Sequence, residues 1–349
     1  MSDVSGVGDV SGEGGMGEVS GVGTGGGVTG GASGGAPAGG ALPVLAVDLT
    51  AGEAFEALVG VLQAGLDPED CPARLNVPVP AGELLLMPAA TPEYAGVKIA
   101  GVAPANPAAG LPRITGSYLL LDGPTLMPLA LMDGIALTSL RTPAVTAVAL
   151  DRLAGADAAH LVLFGTGPQA YGHLDALRAV RPLERVTVVG RRPGPVGELV
   201  EYARGLGLAA AAGAPEAVAE ADLVVCCTTA TEPLFDGALV PDHAAVAAVG
   251  SHSPVGREVD TTLVRRAACY VEARAVALRE AGDLLLALPE QDAADPRTRE
   301  AAAKEWTNLG ELVAGRAPVP TDRPRFFKSV GMAWQDLAVA AAVHRRSAG

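Results

Sequence analysis

The sequence predicts an α/β protein of two unequal domains, in which the larger domain is a doubly wound parallel sheet. The chain of 349 residues is long enough for two domains. From residue 159 onward, apolar runs such as 223–227 alternate with helix-like segments, as strands covered on both faces require. One of these runs, 160–164, leads directly into a glycine turn at 165–170. A strand, a glycine turn and a helix in this order are typical of a Rossmann-type domain.

The chain before residue 159 predicts a smaller α/β domain. Apolar residues at helical spacing indicate a helix over residues 50–64. Short apolar runs punctuated by proline and glycine then predict strands over 74–90, 94–103, 115–122 and 126–133. A long helix from about residue 137 to 153 leads into the second half of the chain.

Domain boundaries follow from these patterns. We place the smaller domain at 43–144 and the Rossmann-type domain at 145–319. Residues 320–349 contain one more strand-like run and an amphipathic helix, and we expect them to complete the smaller domain. Glycine dominates the start of the chain, and such a segment cannot bury enough apolar surface to offset its loss of conformational entropy. Residues 1–42 are therefore predicted to be disordered.

The composition excludes several classes of partner. A formal net charge of −14 argues against nucleic acid and against an anionic membrane surface. The chain has no uninterrupted apolar run of 18 residues, so no membrane span is expected. The four cysteines have neither C-x-x-C nor Cys/His spacing, so no metal site is predicted. We expect a cytoplasmic protein, because these thiols suit a reducing compartment.

The glycine turn carries the first chemical signal. Gly165 permits a tight turn, Gly167 lets backbone N–H groups approach a phosphate, and the small Ala170 lets the helix pack close to its strand. The amino end of the following helix adds partial positive charge. A strand before the turn, a helix after it and a second strand at 185–190 together predict a dinucleotide site, which includes Thr166, Pro168 and Gln169.

The end of the second strand bears on the choice of nicotinamide cofactor. NAD sites usually place a carboxylate there for the ribose hydroxyls, but this chain has Arg191 and Arg192 and no carboxylate until Glu198. A guanidinium pairs well with a 2′-phosphate. We therefore expect NADP(H) to be preferred, with NAD(H) left open. The alternative is that both arginines are solvated surface residues.

Several short motifs in a fixed order resemble the ornithine cyclodeaminase/mu-crystallin family. The resemblance covers nearly all of the chain after the glycine-rich start. The segments that carry it are Gly96-Val97-Lys98, Gly110-Leu111-Pro112, Met132-Asp133-Gly134, 137–142, 165–170, Ala230-Thr231-Glu232-Pro233, Arg257-Glu258-Val259-Asp260, Ala281-Gly282-Asp283 and 327–332.

The resemblance implies a homodimer in which the smaller domain binds an amino or imino acid and forms the dimer interface. It also assigns substrate-site residues by matching motifs. Arg74 and Arg141 are similar to the two arginines that bind the substrate carboxylate, and Lys98 to the catalytic-site lysine. Two guanidiniums clamp a carboxylate well, and a nearby ammonium can donate a proton. Met87 is expected to line the same pocket.

The family motifs extend the predicted cofactor site. The added residues are Thr138, Thr228, Thr229, Val249, Gly250, Ser251 and Lys328.

His252 marks a departure from the cyclodeaminase pattern. Cyclodeaminases carry an aspartate at this place, so the segment is closer to the mu-crystallin branch, whose members reduce cyclic ketimines with NADPH. His252 is predicted as a catalytic proton donor, since histidine titrates near neutral pH. The alternative is a polar loop residue with no role in proton transfer.

The sequence thus predicts an NADPH-dependent reductase of a cyclic or linear imino acid. Three alternatives remain at this stage. The first is an ornithine cyclodeaminase that recycles bound NAD and converts ornithine to proline and ammonia. The second is an amino-acid dehydrogenase, such as one for alanine. The third is a protein that binds NADPH without catalysis, which the joint presence of Arg74, Lys98 and Arg141 disfavours.

Overall fold

A computed structural model describes residues 41–289 and 295–349 of the chain. The described residues belong to one compact unit, Gly39–Gly349, which contains two β-sheets. The glycine-rich extension predicted for residues 1–42 lies almost wholly outside the described residues.

The first sheet has six strands and is mainly antiparallel. Its order is β1-β6-β5-β4-β3-β2, and β1 pairs with β6 in parallel. The strands are β1 (Val44–Leu45), β2 (Leu75–Val79), β3 (Gly82–Ala90), β4 (Tyr94–Val102), β5 (Ile114–Asp122) and β6 (Pro128–Asp133). These strands confirm the strand-rich pattern of the first part of the chain.

Helices cover one face of the first sheet. They are α2 (Gly134–Leu153) and a C-terminal helix over Ala333–Ala348, numbered α10 below, and α1 (Ala51–Gln63) packs against both of these helices. Helix α1 starts at a capping box between Thr50 and Glu53, and it buries Leu58 and Leu62 against the core. Helix α2 begins three residues before the predicted start, because the Asp133 carboxylate accepts hydrogen bonds from the N–H groups of Ile135 and Ala136.

The second sheet has eight parallel strands in the order β13-β12-β14-β11-β10-β7-β8-β9. Its strands are β7 (His160–Phe164), β8 (Arg185–Val189), β9 (Ala209–Ala212), β10 (Leu223–Cys226), β11 (Ala245–Ala248), β12 (Ala268–Val271), β13 (Thr307–Asn308) and β14 (Arg325–Lys328). The connecting helices are α3 (Pro168–Val180), α4 (Pro193–Gly205), α5 (Thr261–Arg266), α6 (Arg274–Glu280), α7 (Gly282–Leu285), α8 (Pro296–Ala303) and α9 (Leu309–Val313). This sheet confirms the predicted α/β class.

The C-terminal segment 320–349 divides between the two sheets. Strand β14 pairs in parallel with β11 and β12, so it belongs to the second sheet, whereas α10 packs on the first. The sequence analysis had placed the whole segment with the smaller domain. All four residues of β14 are buried, as a strand covered on both faces requires.

Helix α2 connects the two halves of the described chain. It contacts β5 of the first sheet and β11 and β14 of the second, and it runs without a break through the boundary drawn at 144/145. Helix α2 therefore packs against both sheets and carries the predicted site residues Thr138 and Arg141. No helix in the described residues is long and apolar enough to cross a membrane.

Candidate active site

The predicted glycine turn lies at the carboxyl end of β7. Gly165 has φ +114°, and a Cβ there would approach the Cys227 carbonyl oxygen to 2.8 Å. Gly167 caps α3 without a side-chain hydrogen bond, and no atom lies within 4 Å of its would-be Cβ. Ala170 is fully buried behind the turn. The open helix terminus and its backbone N–H groups fit the pyrophosphate of a dinucleotide.

Arg191 and Arg192 follow β8 and are both exposed at the amino end of α4. No carboxylate among the described residues forms an ion pair with either guanidinium. This position is where the adenosine ribose lies in Rossmann-type domains. The two arginines are therefore free to take an anionic group.

The loops after β10 and β11 are joined by one buried carboxylate. Glu258 accepts hydrogen bonds from the Thr228 N–H and hydroxyl, each at 2.7 Å, and from the Gly250 N–H at 2.7 Å. A Cβ at Gly250 would lie 2.0 Å from the Thr228 carbonyl oxygen. The predicted cofactor residues Thr228 and Gly250 thus meet at the strand ends, next to exposed Thr229 and half-buried Val249.

Lys328, a predicted cofactor residue, is buried beneath the loop after β11. Its side chain is buried, its ammonium donates to the Ser251 carbonyl oxygen at 2.7 Å, and it pairs with Asp283 at 2.8 Å. Lys328 therefore holds the backbone of the loop after β11 at Ser251, and its part in cofactor binding stays a prediction. Burial raises the pKa of Glu258 beside this pair, while the Lys328 charge opposes that rise.

Lys98 lies on β4 between Met87 of β3 and Tyr118 of β5, and its side chain is 4% exposed. The ammonium donates to both carboxylate oxygens of Asp336, at 3.0 and 2.8 Å, and to the Thr138 hydroxyl at 3.1 Å. Burial lowers the pKa of Lys98 to about 8, although the Asp336 carboxylate opposes this fall.

Arg141 lies one helical turn after Thr138 on α2, so both face Lys98. Its Nε donates to Asp336 at 3.3 Å and its Nη1 donates to the Gln335 side-chain oxygen at 2.9 Å. Gly331 has φ +80°, and a Cβ there would come within 2.9 Å of the Arg141 guanidinium. Glycine at 331 therefore lets the backbone lie directly against Arg141.

Arg74, in the segment before β2, lies beside Lys98 and Arg141, and these three residues are called the cationic group below. Its Nη2 donates to the carbonyl oxygens of Val330 and Gly331, each at 2.7 Å, and lies 2.9 Å from the Glu280 carboxylate. Burial is the main cause of its lowered pKa, and the nearby Arg141 charge adds to it. The structure thus brings the three predicted residues Arg74, Lys98 and Arg141 together in one region.

His252 remains solvent-accessible on the loop after β11. Partial desolvation, followed by the positive charge of Arg74, lowers its pKa. The lowered pKa favours the neutral imidazole, which is the form that accepts a proton, whereas the predicted role was that of a proton donor.

Three buried polar residues at this site were absent from the sequence-based predictions: Glu272, Gln335 and Asp336. Gln335 and Asp336 are fully buried in the first turn of α10, a helix whose following residues are mostly apolar. Two adjacent polar residues on the core side of an apolar helix are the signal that marks them in the sequence.

Comparison with known proteins settles the family. Residues 46–349 match the ornithine cyclodeaminase/mu-crystallin family. The chain belongs to this family. The mouse ketimine reductase mu-crystallin is 32% identical over 277 residues, which are 78% of this chain and 84% of the mouse protein. The predicted family resemblance is thereby confirmed.

Two solved structures extend this similarity to the fold. The Δ1-pyrroline-2-carboxylate reductase of Thermococcus litoralis, in complex with NADH and L-proline, has a TM-score of 0.79 and 27% identity, and covers 88% of this chain and 98% of its own. An archaeal alanine dehydrogenase, solved as a dimer with bound NAD, has a TM-score of 0.80 and 26% identity, and covers 88% and 96%. The fold of this chain, with its two β-sheets, is thus shared with nicotinamide-dependent enzymes.

Proposed function

We propose that this protein is a nicotinamide-dependent reductase of imino acids, which reduces the C=N bond of a cyclic ketimine carboxylate to the amine. The observation that carries the proposal is the short segment 328–331. Lys328 holds the Ser251 carbonyl at the dinucleotide edge of the second sheet, and the carbonyls of Val330 and Gly331 hold Arg74. Four consecutive residues thus bring the cofactor loops beside the cationic group.

Arg74 and Arg141 are suited to bind the substrate carboxylate. Both guanidiniums are fixed by hydrogen bonds to the protein, so little side-chain entropy remains to be lost on binding. Two fixed cations orient a planar carboxylate and set the position of the adjacent carbon. The mouse relative is named a ketimine reductase, and the Thermococcus litoralis relative holds L-proline.

Lys98 is suited to protonate the imine nitrogen. Its ammonium is buried beside both arginines, and its pKa of about 8 lies close to neutral pH, where a general acid is most effective. When bound, the reduced nicotinamide supplies a hydride to the imine carbon. The proton that completes the amine comes from Lys98 Nζ, which then recovers a proton from water. His252, near Arg74, contributes polar stabilisation at the edge of the site.

The preferred cofactor in this proposal is NADP(H). Within the described residues Arg191 and Arg192 have no carboxylate partner, and a charge-assisted pair with a 2′-phosphate at this strand end favours NADPH over NADH. The two solved relatives contain NADH and NAD. The preference for NADP(H) is therefore inferred from the exposed arginines of this chain and not from those relatives.

A homodimer is also part of the proposal. The face of the first sheet opposite the helices exposes apolar side chains, and the cross-strand row Leu75, Leu86 and Ile99 lies on it. Leu75 is 57% exposed and Ile99 is 43% exposed, with Leu86 between them in the same row, so the face carries a connected apolar patch. A second copy of the chain covers this face most simply, and the archaeal alanine dehydrogenase is a dimer.

The decisive experiment is a substrate and cofactor screen on the purified protein. We expect oxidation of NADPH, faster than of NADH, with pyrroline-2-carboxylate or piperideine-2-carboxylate. Proline formation from ornithine without added NADPH would instead identify a cyclodeaminase. Ammonia-dependent reduction of a 2-oxo acid, with no turnover of cyclic imines, would identify an amino-acid dehydrogenase.

A further inference from the structure

Asp336 is the buried carboxylate at the centre of the cationic group. It lies in the first turn of α10, it is fully buried, and it contacts two of the three cations directly. Its two oxygens accept from Lys98 Nζ at 3.0 and 2.8 Å, and its Oδ1 also accepts from Arg141 Nε at 3.3 Å. Within the described part of the chain, it is the carboxylate that forms an ion pair with Lys98.

The surroundings of Lys98 otherwise disfavour its charge. Burial favours the neutral amine, and the charges of Arg141 and Arg74 add to this effect. A neutral lysine cannot protonate an imine. Asp336 is therefore the group that keeps the ammonium charged in this site.

Asp336 also fixes the direction of the three N–H bonds of Lys98. Two point to its carboxylate and the third points to the Thr138 hydroxyl, which in turn donates to the Gly134 carbonyl oxygen at 2.7 Å. The Lys98 ammonium donates one hydrogen bond to Thr138 but two to the Asp336 carboxylate. One of the two carboxylate contacts can therefore be exchanged for a substrate atom while the ion pair is kept.

We propose that Asp336 is the positioning residue for Lys98: it holds the ammonium charged and aimed until the imine nitrogen replaces one of its two carboxylate contacts. This role rests on the proposed imine reduction. The proton passes from Lys98 Nζ to the substrate nitrogen, the N–H bond forms as the hydride reaches the carbon, and the amine left at Lys98 regains a proton from water.

The other titratable groups facing Lys98 stay neutral or permanently charged near neutral pH. Tyr118 faces it from β5, and burial followed by the Asp336 charge raises the pKa of its phenol well above the usual value. Burial likewise raises the pKa of the Cys71 thiol, which feels the Asp336 charge. Arg141 from α2 and Arg74 from the segment before β2 carry fixed positive charges. A titration near pH 8 at this site therefore belongs to Lys98.

The sequence makes this titration directly measurable, because the chain contains only three lysines: Lys98, Lys304 and Lys328. Lysine labelled with 13C at the ε carbon gives one NMR signal for each, and Lys98→Arg identifies the signal of interest. In the wild-type protein we expect this signal to show an ammonium at pH 7 and to titrate near pH 8. Asp336→Asn should move the midpoint down by about one unit or more.

Activity should follow the same titration. In Asp336→Asn the alkaline limb of kcat should move to lower pH together with the Lys98 signal, and kcat at pH 8 should fall about fivefold or more, as the ammonium fraction does. Asp222→Asn is the matched control, because Asp222 accepts backbone N–H groups of Ala159 and His160 at the opposite edge of the second sheet. It should leave both the Lys98 titration and the pH profile of kcat unchanged.

The outcomes separate the positioning role from the reaction. A Lys98 signal that is neutral at pH 7 in the wild-type protein, or one that is unmoved in a folded Asp336→Asn variant, overturns the role of Asp336. If Asp336→Asn fails to fold, Asp336→Glu is the second variant. It should keep the midpoint of the Lys98 titration at its wild-type value while kcat falls, and a shifted midpoint in this variant refutes the role of Asp336. The NMR titration needs no substrate, so absence of turnover on every imino acid refutes the proposed function alone.

Discussion

Glu272 Oε1 accepts a hydrogen bond from Gln335 Nε2 at 2.5 Å, and this contact joins the end of β12 in the second sheet to the first turn of α10. The other carboxylate oxygen of Glu272 accepts the N–H groups of Val330 and Gly331, each at 2.8 Å. Gln335 in turn binds Arg141. The Glu272 carboxylate therefore supports the positions of Arg74 and Arg141, the two arginines proposed to bind the substrate carboxylate.

Replacing Glu272 by alanine should reduce stability and substrate affinity together. The variant leaves buried N–H and side-chain donors without an acceptor, which costs about 3 kcal/mol or more of unfolding free energy. It also releases the segment that holds Arg74, so KM for the imino acid should rise by more than kcat falls. Thermal unfolding and steady-state kinetics measure the two effects. An unfolding free energy equal to that of the wild type would contradict the assigned role of this carboxylate.

Gly250→Ala should disrupt cofactor binding. The added methyl group would lie 2.0 Å from the Thr228 carbonyl and 2.6 Å from the Glu258 carboxylate, so the two loops must separate. We expect a loss of NADPH affinity of about tenfold or more, since misplaced loops no longer meet the dinucleotide. Gly60→Ala on α1 is the matched control, because its Cβ meets open space. That control should keep full affinity and gain about 0.5–1 kcal/mol in stability.

Arg191→Asp should reverse the preference between the two nicotinamide cofactors. A carboxylate at this position repels a 2′-phosphate and accepts hydrogen bonds from ribose hydroxyls. We expect KM for NADPH to rise by about 10–100-fold while KM for NADH stays similar or falls. Cofactor titration at saturating imino acid provides the test, with Arg192→Asp as the companion variant. An unchanged ratio in both variants shows that the arginines are ordinary surface residues.

The pH dependence of turnover should show a limb near pH 8 that falls toward alkaline pH. The Lys98 pKa is lowered by burial to about 8, so the ammonium is present below this pH and is lost as the pH rises through it. A pH profile of kcat at saturating substrate reports this ionisation. A profile that keeps rising from pH 7 to pH 10 would show that no ammonium of this site donates the proton.

Ile99→Asp should separate the proposed dimer. The new carboxylate would stand in the centre of the apolar face of the first sheet, where burial against a second copy is strongly disfavoured. Size-exclusion chromatography with light scattering should show a monomer. Leu239→Asp is the control, because Leu239 is a similarly exposed apolar residue outside the first sheet. A monomeric wild-type protein would exclude the dimer altogether.

Local features of the chain could be predicted because their causes are local. The turn at Gly165 follows from a positive φ that glycine favours, and the strand before it, β7, follows from an apolar run that is buried throughout. Helix α1 follows from its apolar spacing and the cap at Thr50. The cationic group was reached through family motifs, since spacing alone makes each of its members an ordinary surface charge.

What could not be predicted depends on contacts between distant parts of the chain. Asp336 is 238 residues from Lys98, and Glu272 is 63 residues from Gln335. The placement of β14 between β11 and β12 likewise requires the full sheet order. Lys328 was expected at the cofactor because it lies in a family motif, but its burial beneath Ser251 is visible only in three dimensions.

The most direct test of the account compares imine reduction by Lys98→Ala with that of the wild-type protein. The assay follows NADPH oxidation with pyrroline-2-carboxylate, and Lys304→Ala, an exposed lysine on the surface, is the control. We predict that Lys98→Ala lowers kcat by about 10²–10⁴-fold while cofactor binding and the control stay at wild-type values. A wild-type rate in Lys98→Ala would contradict the assignment of Lys98 as the proton donor and, with it, the proposed reaction at this site.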